Sequence, residues 1–128
     1  MEKTMAYKGI DIYLGASSMR TCLGDKAETL AAMRNGESGL KYSDEFAMHV
    51  GRANVKMTDG YSRFESFIIE QIQNVVAESG IDLSSDDVQL VVSTTKGNID
   101  YLALDCDNII DKTFVDTSLQ SVADYFKC

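Results

Sequence analysis

The segment Ser62–Gly80 constrains this chain more than any other. Ser62 and Glu65 stand at the Ser-x-x-Glu spacing of a capping box, which satisfies two backbone donors at a helix start. Phe64, Phe67, Ile68, Ile72, Val75 and Val76 then recur at helical intervals and form one apolar face. Gly80 supplies the stop, because glycine enters the left-handed conformation without steric cost. A helix with one apolar face has to bury it, so the fold must be assembled around this element.

The flanking segments suggest an α/β alternation. Gly9–Leu14 alternates and then runs apolar, as a strand does. Asp25 and Glu28 form a second capping pair for a helix over Lys26–Asn35, with Leu30, Ala31 and Met33 as its apolar surface and Gly36 as its stop. In the less legible span Lys41–Asp59, Phe46, Met48 and Val50 alternate with Ala47 and His49, which fits a short strand or an extended loop. Val88–Ser93 is an almost continuous apolar run bounded by Asp86-Asp87 and Thr94-Thr95, the pattern of a strand buried on both faces in a parallel sheet. Asn98 can cap a helix reaching Leu104. Asp116 or Ser118 opens a last helix with Leu119, Val122, Ala123 and Phe126 on one face. This order predicts an α/β fold with a mostly parallel sheet and flanking helices. Such a fold calls for another strand after the last helix, so residues 1–128 read as an incomplete domain. Proline is absent, and boundaries rest on Gly, Ser and Asp.

Charge narrows the partners. Twelve basic against 20 acidic residues give a net charge of −8. Binding to nucleic acid needs Lys and Arg to neutralise phosphates, and anionic membranes attract basic segments, so neither partner is expected. The opening MEKTMAYK has no apolar run, and no window is long and apolar enough to span a bilayer, which points to the cytoplasm. The three cysteines follow no CxxC or Cys/His spacing. Reduced thiols and no metal centre are the expectation.

Individual side chains offer little catalysis. Cys22 precedes a helix start, where a thiol pKa can fall, but no histidine stands near it in sequence. Cys106 lies between Asp105 and Asp107, whose charges oppose thiolate formation. Cys128 closes a helix rather than heading one. His49 is the single histidine and has no nucleophile beside it in sequence. Asp105, Asp107 and Asp111 lack the glycine and the closing glutamate of a calcium loop. The best candidate is Thr94-Thr95-Lys96-Gly97-Asn98, which follows the predicted strand at its carboxyl end, where open α/β sheets bind ligands.

Two stretches together resemble a known family. In Ile10–Leu40 a strand ends in Gly15, the turn Ala16-Ser17-Ser18 follows, Leu23-Gly24 precedes an acidic helix, and Gly36-Glu37-Ser38-Gly39-Leu40 closes the segment. In Val88–Ile99 the Ser93–Asn98 loop follows a long strand. Their order and spacing resemble the N-terminal portion of a β-ketoacyl-acyl-carrier-protein synthase (3-oxoacyl-ACP synthase). The resemblance implies a partial thiolase-like fold, truncated before the strand that presents the nucleophile. It implies decarboxylative Claisen condensation by the whole enzyme, with acyl carrier protein and acyl thioesters as partners, no cofactor, and a homodimer. The family's catalytic Cys and His residues lie downstream, so it assigns no catalytic residue here and implies an inert chain prone to self-association. It places Thr94, Thr95, Lys96 and Gly97 on a loop bordering the acyl pocket. The family's loop is richer in glycine, and a small or apolar residue is common where Lys96 stands. A Lys there implies a divergent member or a side chain turned away from the pocket. Two alternatives remain: a chain-length-factor-like partner without the Cys, and a self-contained small acidic α/β ligand-binding module.

Overall fold

A computed structural model of the chain describes residues 13–99, 101 and 113–128. The elements in order are β1 (Arg20–Thr21), β2 (Gly24–Asp25), α1 (Lys26–Arg34), β3 (Lys41–Ser43), β4 (Met48–Val50), α2 (Arg63–Ser79) and α3 (Val115–Phe126). The strands form two separate antiparallel pairs, β1 with β2 and β3 with β4.

This corrects the expected fold class. Among the described residues there is no parallel sheet, and the architecture is three helices with two small antiparallel hairpins rather than a thiolase-like α/β fold. The run Val88–Ser93 forms neither helix nor strand. Val91 is 78% exposed, where burial on both faces was expected. The physical reason is the lack of a neighbour: no described strand lies alongside to give the run hydrogen-bond partners or to cover its second face. Of the first predicted strand, residues 9–12 lie outside the described residues. Tyr13 and Leu14 are exposed and outside any strand.

The helices follow their local signals. Both capping boxes close: Asp25 with Glu28 opens α1, and Ser62 with Glu65 opens α2. Gly80 ends α2 at φ 68°, the left-handed cap that its position implied. Gly36, just past α1, also has positive φ. The buried face of α1 differs from the expected one. Thr29 and Ala32 are buried, whereas Leu30 and Met33 are exposed. Thr29 is drawn inward by polar contacts, because its hydroxyl pairs with that of Thr21 at 2.7 Å and also reaches the Gly24 carbonyl. In the region that was hard to read, Met48–Val50 is a strand, paired with Lys41–Ser43. The last helix begins at Val115, slightly before Asp116. Most of the predicted Asn98–Leu104 helix lies outside the described residues.

The core sits where α2 crosses α3. Ile68, Ile69 and Val122 are its buried centre, with Phe64, Phe67, Ile72, Val92, Tyr125 and Phe126 packed around them. Tyr125 meets both Tyr61 and Phe126 edge to face, the arrangement that ring quadrupoles favour. The N-terminal hairpin attaches to α2 through polar groups instead. Arg20 pairs with Glu70, and Ser18 bonds Gln71 at 2.7 Å and Asn74 at 3.2 Å. The hydrogen bond from Arg20 to Glu70 holds the Arg20 pKa above its ordinary value.

Candidate functional site

The Thr94–Asn98 loop is fixed from its two ends. At the start, the Thr94 hydroxyl accepts hydrogen bonds from the backbone N–H of Lys96 (3.3 Å) and Gly97 (3.1 Å). This local closure is the reason hydroxyl residues favour turns. At the end, Asn98 is buried and reaches the start of α2. Its Oδ1 accepts from the Ser62 hydroxyl at 2.5 Å, and its Nδ2 donates to Glu65 Oε1 at 3.1 Å. Glu65 Oε2 in turn accepts from the Ser62 backbone N–H at 2.7 Å. One capping box therefore does two jobs: it starts α2 and clamps a loop more than thirty residues away.

Burial gives this network its stiffness. Ser62, Glu65 and Asn98 are 8%, 6% and 2% exposed. In such surroundings a satisfied polar group is stable and an orphaned one is costly. The Glu65 carboxylate also sits in the first turn of α2, where the helix dipole favours negative charge. Tyr101, which follows the loop, has its pKa raised, first by burial and then by the negative charge of Glu65.

Between these anchors, Thr95 and Lys96 face solvent and Gly97 turns inward. Gly97 has φ 55°, and a Cβ there would approach Val115 Cγ2 at 3.2 Å. Both the conformation and the space ask for glycine. Gly97 also borders a small cleft of about 250 Å3, formed with Ala53, Val55, Arg63, Phe64 and Phe67. Its walls are mostly apolar, and Arg63 contributes one cation while its guanidinium bonds the Ala53 carbonyl at 2.6 Å. Lys96 is exposed on the loop and is not among the residues that line the cleft, whereas Arg63 lines it. Such a cleft can hold an apolar chain that carries an anionic group.

Of the residues singled out from sequence, Thr94, Thr95, Lys96 and Gly97 lie together in this loop. The cleft beside it was not foreseen. The spacing of Phe64 and Phe67 shows only a helix face, and Val55 belongs to a stretch whose pattern is too weak to place it. Cys22 is exposed, and its thiol lies beside the backbone of Gly39 and Gly51. His49 stacks edge to face with Tyr42, its strand partner, at 5.4 Å between ring centres. No hydrogen bond links Cys22 to His49 among the described residues. Cys128 is exposed, and its thiol points to the Ala123 carbonyl. Cys106, Asp105, Asp107 and Asp111 lie outside the described residues. Among the described residues, no group of three or more His, Cys, Asp and Glu is arranged to hold a metal ion. No described helix is long and apolar enough to cross a membrane.

No family model, no curated protein and no solved structure matches the chain.

Proposed function

We propose that this chain is the N-terminal part of a 3-oxoacyl-acyl-carrier-protein synthase, and that by itself it performs no condensation. The observation that carries the reading is the position of Gly97. It stands in the loop that the family resemblance assigns to the acyl pocket, and it borders an apolar cleft lined by Val55, Phe64 and Phe67. The motif glycines of the first stretch support the same reading. A Cβ at Gly39 would meet Cys22 Sγ at 2.5 Å and Leu23 Cγ at 2.9 Å, so the Gly-x-Ser-Gly turn and the Leu-Gly pair pack on each other. The reading concerns residue pattern and chemistry and includes no parallel sheet within this chain.

In this role the cleft takes part of an acyl chain, and the exposed Lys96 stays outside it. The net charge of −8 disfavours docking of an acidic carrier protein on this part of the surface. The acyl pantetheine arm, rather than the carrier protein, is therefore the part this chain touches.

Two readouts test the proposal. Incubated alone with acyl- and malonyl-carrier protein, the chain yields no 3-oxoacyl product by mass spectrometry; formation of that product overturns the inert reading. Titrated with a short acyl phosphopantetheine thioester, the full chain shows an amide shift at Gly97 together with ring shifts at Phe64 and Phe67. Saturating ligand with those resonances unmoved overturns the loop assignment.

A further inference from the structure

A second cleft, of about 460 Å3, lies on another part of the molecule between the 83–92 segment and α3. Leu83, Val88, Leu90, Val92, Leu119 and Ala123 supply its apolar lining. Of the 88–92 run, Val88, Gln89, Leu90 and Val92 line it while Val91 faces solvent, and the run belongs to no strand. Among the described residues, Gln89–Ser93 make no backbone hydrogen bond. An apolar segment with unanswered N–H and C=O groups is the template on which an added strand pairs.

The charge around the cleft selects the kind of strand. Among the described lining residues, Asp116 carries the one charged side chain. Asp86 and Asp87 precede Val88 and are exposed, and exposed Asp124 bonds the lining residue Gln120 at 2.8 Å. Among the described lining residues there is no cation. A second copy of this chain, itself strongly acidic, meets repulsion here. We propose that this cleft is a docking site for an extended peptide segment of alternating apolar and basic residues, which adds to Gln89–Ser93 as a strand. Its apolar side chains enter between the 88–92 run and α3, and its basic side chains meet Asp86, Asp87 and Asp116. This inference stands apart from the acyl-pocket reading, because it uses a different cleft and different residues.

The test uses labelled synthetic peptides about six residues long, a usual strand length. They are an alternating Val/Lys peptide, its Val/Glu counterpart, and a Val/Lys peptide N-methylated at alternate positions. Binding to the full chain is read by fluorescence anisotropy. The Val/Lys peptide binds saturably, and each of the other two binds at least about tenfold more weakly, the factor that one lost hydrogen bond or one like-charge contact produces. Asp116→Lys shifts the preference toward the Val/Glu peptide. Leu90→Asp, at a partly exposed position, abolishes binding while the helical circular dichroism persists. Equal binding of the N-methylated peptide overturns strand addition, and equal binding of the Val/Glu peptide overturns the charge argument. Absence of saturable binding by any peptide overturns the docking site. A dimer that Leu90→Asp dissolves assigns the face to a second copy and also overturns the proposal.

Discussion

Asn98 shows how much one buried amide can organise. It answers the Ser62 hydroxyl and the Glu65 carboxylate together and ties the candidate loop to the start of α2. Asn98→Ala removes both bonds and leaves buried polar atoms unpaired. A loss of about 1–3 kcal/mol is expected, read from the urea midpoint. Gly39 is a second such position, because a methyl there collides with Cys22 Sγ and Leu23. Gly39→Ala is expected to cost about 1–3 kcal/mol, as overpacking does. Adding Cys22→Ala recovers part of that loss in a double-mutant cycle, since the nearest clash is with the thiol. Tyr101 ties stability to pH. Its pKa is raised in the folded chain, so its contribution is complete below the ordinary value of 10.0 and fades as pH climbs through the raised value. Urea midpoints compared between neutral pH and pH above 10.0 show a larger alkaline loss in the parent chain than in Tyr101→Phe. These side-chain roles were only partly legible in the sequence. The Ser62/Glu65 box announces itself by local spacing, whereas Asn98 joins it from more than thirty residues away, a pairing that spacing cannot encode.

At the scale of elements, local rules held where the chain could satisfy its needs locally. Both capping boxes formed, and Gly80 took the left-handed cap. The rules failed where an element depends on a distant neighbour. Val88–Ser93 has the composition of a buried strand, yet no described strand lies beside it, and it stays outside any sheet. The buried face of α1 departed from expectation because Thr29 follows hydroxyl and carbonyl partners rather than hydropathy. The α2–α3 crossing holds the buried apolar cluster, so large-to-small changes there are expected to be costly. Ile69 and Val122 are fully buried and belong to one cluster. Ile69→Ala is expected to cost about 2–5 kcal/mol in urea unfolding, by lost burial and the cavity left behind. Combined with Val122→Ala, the losses are non-additive, because the two side chains share one cluster.

Across the described residues the molecule leaves many large apolar side chains in solvent. Exposed large apolar side chains include Leu14, Tyr13, Val91 and Met33. Apolar surface on this scale usually marks an interaction face. On the proposed reading this chain is part of a larger condensing enzyme, whose remaining residues would cover faces such as those at Tyr13, Leu14 and Met33. The most direct measurement of that claim is the coding sequence beyond the Cys128 codon. The account predicts an open frame, a strand followed by an Ala-Cys-x-Ser-Gly-like elbow, and histidine motifs further on. A stop at that codon, or a frame that continues without the cysteine, contradicts it.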